Sequence, residues 1–148
     1  RQLIDIEWLE LGDPQMLSKE ENELITRVGP GTPAGEMLRR YWWSVGFTEH
    51  VKVKGSPVRA KLLGEDFILF RDGSERLGMV DLHCSHRGTS LEFGRVEAQG
   101  IRCCYHGWLY DVNGRCLDQP AEPPDSRFKD RIKHPAYKVQ ELGGFIFA

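Results

Sequence analysis

The sequence predicts a mainly β domain: a small barrel or sandwich of antiparallel strands, with two metal-gripping loops and a helical segment in front. Three observations carry this expectation. Short apolar runs of strand length recur from Tyr41 to the end of the 148-residue chain. Glycine-containing turn pairs, Asp72-Gly73 and Asn113-Gly114, punctuate them as tight hairpin connections do. Helix signals, by contrast, are confined to the first forty residues.

In chain order, Ile4, Ile6, Trp8, Leu9 and Leu11 suggest an arm that lies on another part of the protein. Ser18-x-x-Glu21 is a capping-box pattern. It should open a helix with Leu24, Ile25 and Val28 on one face and Gly29 as its stop. Thr32-Pro33 then reads as a cap followed by proline in the first turn of a short helix through Met37 and Leu38. Val58, Ala60 and Leu62 alternate as one face of a strand, and Gly64-Glu65-Asp66 should turn the chain into Phe67-Ile68-Leu69-Phe70. Leu77 to Leu82 should answer across Asp72-Gly73. Further strand-like pieces run from Leu109 to Val112, Arg115 to Leu117, Tyr137 to Val139 and Phe145 to Phe147. Residues 119–135 form a loop rich in proline and charge, expected to be ordered against the body. The division this implies is an arm with helices over 1–40 and one β domain over 41–148.

Composition narrows the function. A net charge of −2 argues against nucleic acid and an anionic membrane surface as partners. No apolar run approaches a membrane span and no signal peptide is evident, so a cytoplasmic protein is expected. The chain opens on Arg1 rather than Met, which suggests a processed or cut start. Beyond the two thiols considered below, Cys104 and Cys116 are expected to be free in a reducing compartment, with Cys104 a plain loop residue.

Chemistry concentrates in two segments. Cys84-Ser85-His86 and Cys103-Cys104-Tyr105-His106 place two thiols and two imidazoles within twenty-three residues, a density that argues against plain core packing. Thiolate suits soft metals and iron–sulfur clusters, and imidazole suits zinc, copper and iron. One reading is a closed tetrahedral zinc. The other is a Rieske-type [2Fe–2S] centre, with both cysteines on one iron and both histidines on the other. Zinc modules usually take a Cys pair from one knuckle and a His pair from a helix. Here each loop is mixed, Cys-x-His then Cys-x-x-His, as two adjacent irons require. Gly88 and Gly107 follow closely, where the backbone must turn tightly, and Trp108 is placed to wall the site from water.

The flanks, His83-Cys84-Ser85-His86-Arg87-Gly88 and Cys103-Cys104-Tyr105-His106-Gly107-Trp108, resemble the cluster loops of Rieske non-haem iron oxygenases. From about Leu17 onward the chain is similar to the N-terminal part of phthalate-dioxygenase-type oxygenase components. Gly35 to Trp42, Ser90 to Arg95, Asp118 to Pro124 and Gly143-Gly144-Phe145 all take part. Ser85 and Cys104 stand where that family often has proline, and Trp43-Ser44 replaces a more usual His-Pro. The respiratory-chain Rieske branch fits less well. Thr89 and Tyr105 occupy the positions of its disulfide, and Trp108 that of a serine donor to a bridging sulfide. Fewer donors imply a potential nearer about −150 mV than +300 mV.

The resemblance implies Cys84, His86, Cys103 and His106 as cluster ligands. Arg87, Gly88, Tyr105, Gly107 and Trp108 would surround them, and electrons would enter and leave at the two histidines. It also implies a reductase or ferredoxin donor fed by NAD(P)H, and a mononuclear Fe(II) in a C-terminal catalytic domain that this chain does not contain. The Rieske domain of one subunit would face the iron of the next in a ring of three. His50, His83 and His134 are scattered, form no 2-His-1-carboxylate triad, and are expected on the surface or in loops. The alternatives are a free-standing Rieske ferredoxin, against which the helical preamble and the length of the resemblance speak, and a structural zinc module.

Overall fold

The computed structural model describes residues 16–148. The expected arm with Ile4, Ile6, Trp8, Leu9 and Leu11 lies outside these residues. Helix α1 (Lys19–Thr26) opens on a complete capping box: Ser18 Oγ accepts from the Glu21 N–H, and the Glu21 carboxylate accepts from the Ser18 N–H. It ends before Val28, short of the expected glycine stop. The cause is tertiary. The Thr32 hydroxyl donates to the carbonyls of Arg27 and Gly29, and the Arg39 guanidinium donates to that of Val28. Leu24 and Ile25 remain more than half exposed, so the expected apolar face is not buried among the described residues. Helix α2 (Pro33–Leu38) is capped by Thr32 and carries proline in its first turn, as expected.

Eleven strands follow among the described residues. They are β1 (Ser44–Phe47), β2 (Val58–Leu62), β3 (Glu65–Arg71), β4 (Leu77–Asp81), β5 (Arg95–Val96), β6 (Ile101–Arg102), β7 (Leu109–Tyr110), β8 (Cys116–Asp118), β9 (Ala136–Tyr137), β10 (Gln140–Leu142) and β11 (Phe145–Phe147). They form three antiparallel sheets of order β1-β11-β10, β2-β3-β4-β9 and β5-β6-β7-β8. The mainly β expectation holds. The β2–β3 turn falls at Leu63-Gly64, both with positive φ, so Glu65 and Asp66 already belong to β3. The piece at Leu109 shrinks to two residues.

Strand β3 explains the layering. Its apolar run is buried on both faces, and the pleat sends alternate residues to opposite sides. Phe67 and Leu69 join Met79, Val51 and Ile146 in one core. Ile68 and Phe70 join Val80, Leu82, Ile101, Trp108 and Tyr110 in the other, which also contains Cys84 and Cys103. Gly78 is dictated by this packing, because a Cβ there would stand 2.9 Å from the Phe70 ring. Residues 119–135 lie against the second core through Ile132, and the loop closes on a 3₁₀ turn at Phe128–Arg131. His134 lies in a loop, as expected, but is completely buried.

Candidate metal centre

The two Cys/His segments fold into the same frame. In the first, the Cys84 N–H donates to the Thr89 carbonyl and the Gly88 N–H to the Cys84 carbonyl, at 2.9 and 2.8 Å. In the second, the Cys103 N–H donates to the Trp108 carbonyl and the Gly107 N–H to the Cys103 carbonyl, at 2.9 and 3.1 Å. Each frame closes through a glycine with positive φ, 71° at Gly88 and 76° at Gly107. The histidine sits two residues after the first cysteine and three after the second. The first loop leaves β4, and the second joins β6 to β7, so adjoining sheets aim both at one place.

The donors sort by depth. Cys84 and Cys103 are 3% and 4% exposed and unoxidised. Burial pushes the Cys103 thiol up and the neighbouring Cys84 adds to this, while the backbone at Tyr105 and His106 opposes the rise. His86 and His106 lie nearer the surface, edge to face at 4.6 Å. Trp108 is buried and stacks on the His86 ring at 4.4 Å and 8°. Partial burial, with His106 and Arg87 nearby, holds His86 below its ordinary pKa, which favours the neutral ring that metals bind. Tyr105 is exposed and leans on His106. Arg87 is exposed at the rim. Beside the two rings runs a groove of about 310 Å³ lined by Ser85, Phe128 and Ile132.

Among the described residues, no three His, Cys, Asp or Glu side chains converge to hold a single ion. A deep thiol pair and a shallow imidazole pair suit two metal ions side by side better than the closed tetrahedron of one zinc. Cys104 is exposed and free. Cys116 is buried, free, and pushed up to about 11 by burial, so it is an inert thiol.

Three contributors have no signal in the sequence. Tyr110, buried, brings its hydroxyl to 3.3 Å from Cys84 Sγ, and burial beside the thiols raises its pKa, so it stays protonated and can donate to a thiolate there. His134 links Ser85 Oγ at 2.8 Å to the Asp81 carbonyl at 3.0 Å. Arg102 donates to the Gly107 carbonyl at 2.5 Å while paired to Glu97 and Asp118. His83, exposed as expected, supports the first loop through the Gly88 carbonyl at 3.0 Å.

Comparison with known proteins agrees with this geometry. The profile of the Rieske [2Fe-2S] domain matches residues 41–139. The chain is 47% identical to the 5,5'-dehydrodivanillate O-demethylase oxygenase subunit of Sphingobium sp., over 90% of this chain and 32% of that protein. It is also 47% identical to the phthalate 4,5-dioxygenase oxygenase subunit of Pseudomonas putida, over 90% of this chain and 30% of that one. The solved structure of NdmA from Pseudomonas putida CBB5 superposes with a TM-score of 0.68 at 29% identity, covering 76% of this chain and 34% of that one. The chain thus spans about a third of the length of these relatives. Mixed Cys/His loops, paired donors and the matched residues together make this chain a member of the Rieske [2Fe–2S] domain family, similar to oxygenase subunits of the phthalate-dioxygenase type.

Proposed function

We propose that Cys84 and Cys103 hold one iron, and His86 and His106 the other, of a Rieske [2Fe–2S] cluster, and that the chain is the electron-transfer part of an oxygenase. The division of the donors into a deep thiol pair and a shallow imidazole pair carries this reading. Bound there, the cluster supplies one-electron transfer. The chain's own groups set its surroundings. The Tyr110 hydroxyl donates to the Cys84 sulfur. Trp108 excludes water from one face, and the two imidazoles form the edge at which partners can exchange electrons.

In the intact protein the donor is a reductase or ferredoxin drawing on NAD(P)H. The acceptor is a mononuclear Fe(II) in a catalytic domain, which uses dioxygen to hydroxylate or demethylate an aromatic or similar organic substrate. The names of the relatives span both outcomes, an O-demethylase and a ring dioxygenase. Intact subunits would associate as rings of three, each Rieske domain facing the neighbour's iron. Among the described residues no helix is long and apolar enough to cross a membrane. A cytoplasmic site of action is part of the proposal.

Metal and sulfide analysis tests it. The chain should bind two irons and two acid-labile sulfides, and Cys84→Ser or Cys103→Ser should abolish both. One zinc and no sulfide would overturn the reading. An oxygenase subunit should turn over substrate only with its catalytic domain; a complete reading frame no longer than this chain would point to a free carrier.

A further inference from the structure

We propose that His134 and Ser85 form a brace that sets the hydrogen bond from the Tyr110 hydroxyl to the Cys84 sulfur, and through it the reduction potential of the centre. This rests on the ligand reading above and goes beyond it, because neither residue touches a ligand donor atom in that reading.

The atoms define the brace. His134 is wholly buried. Its Nε2 lies 3.0 Å from the Asp81 carbonyl, which can only accept, so Nε2 carries the ring proton. Its Nδ1 is then an acceptor, and the Ser85 hydroxyl donates to it at 2.8 Å. The ring face stacks on Tyr110 at 4.7 Å and 30°. Tyr110 is fully buried, and its hydroxyl is spent on Cys84 Sγ. Ser85 belongs to the first loop, and Tyr110 lies in β7 just beyond the second. One imidazole therefore ties the first loop to the strand that follows the second.

Its backbone is fixed independently. The His134 N–H donates to the Gly114 carbonyl at 2.7 Å, and a Cβ at Gly114 would stand 1.9 Å from the His134 carbonyl oxygen. With the main chain locked, the ring's remaining freedom is rotation about its side-chain bonds, and the Ser85 and Asp81 contacts stop it. Without the Ser85 contact only the Asp81 carbonyl restrains the ring's rotation, and its support of the Tyr110 ring changes. The hydroxyl then loses its aim at the sulfur. A thiolate with one donor fewer stabilises the added electron less, so the potential falls.

The experiment is redox titration of the full chain carrying iron and sulfide. Ser85→Ala should reduce the equilibrium constant for reduction about tenfold, about 59 mV for one electron. Ser85→Thr should keep the parent potential, and its isostere Ser85→Val should shift as Ser85→Ala does. That pair decides the matter if Ser85→Ala assembles poorly. In a Tyr110→Phe background, Ser85→Ala should cause no further shift, since the brace acts through the missing hydroxyl. A parent potential in both Ser85→Ala and Ser85→Val, or an undiminished shift without the Tyr110 hydroxyl, would overturn the brace alone. A parent chain that takes up no iron and sulfide would overturn the ligand reading and the brace with it.

Discussion

Gly88 and Gly107 hold the same place in two loops of the same frame, yet their surroundings differ. Both have positive φ. A Cβ at Gly88 would meet nothing within 4 Å, whereas one at Gly107 would stand 3.0 Å from the Pro120 ring. Gly88→Ala should therefore cost only the left-handed backbone penalty, about 1–2 kcal/mol. Gly107→Ala should add crowding and cost about 2–4 kcal/mol. Urea midpoints of the two variants check the order; equal losses would mean that the Pro120 ring yields freely. The two Cys/His loops and both glycines were legible in the sequence because each loop is only six residues long and announces itself locally. Tyr110 and His134 were not. They act across 26 and 49 residues of chain, on Cys84 and Ser85, and nothing near them in sequence marks the contact. His134 read as a lone loop histidine because its burial comes from a fold that brings 134 beneath 85.

Arg102 ties several elements together at the second loop. It lies in β6, pairs with Glu97 after β5 and with Asp118 in β8, and reaches the Gly107 carbonyl. Arg102 is 20% and Glu97 23% exposed, so the pair is screened less than a surface bridge. Arg102→Met should cost about 1–2 kcal/mol at neutral pH. Hydrogen bonding from Arg102, with help from Arg95, holds the Glu97 carboxyl below its ordinary range. A folded pKa below the unfolded one gives stability that is complete above the ordinary glutamate value and lost as pH falls through the folded value. The gap between parent and Arg102→Met should thus narrow in acid, as denaturation at pH 7 and pH 3 would reveal. Constancy of that gap would exclude Glu97 as its source. Strands β2, β3, β4 and β11 could be foreseen from their apolar runs. Strands β5 and β6, two residues each, are too short to establish a period of two, and β10 is exposed throughout, so no hydrophobic pattern marks it.

The whole molecule is organised by the two cores that β3 separates. Only one of them contains Cys84 and Cys103. Leu69→Ala and Ile101→Ala each remove a fully buried side chain, at about 2–5 kcal/mol. Their consequences for the centre should differ. Leu69→Ala should lower Tm and leave the visible spectrum of the iron-loaded chain unchanged. Ile101→Ala should lower Tm and also alter that spectrum, because it sits in the core that holds the thiols. Identical spectra in both variants would show that the loops are insulated from the core beneath them.

The unequal depth of the thiols and imidazoles has a kinetic meaning. A chelator in solution can compete directly only at the shallow, imidazole side. The thiol side opens only when the core around Cys84 and Cys103 separates, an event with its own free energy within the native state. Iron release into excess chelator should therefore come in two phases. The first should quicken as chelator is added. The second should reach a plateau set by the opening rate, and it should accelerate with dilute urea while the first does not. With the proposed ligands, the lifetime of the inner iron would measure how long the protein interior stays shut.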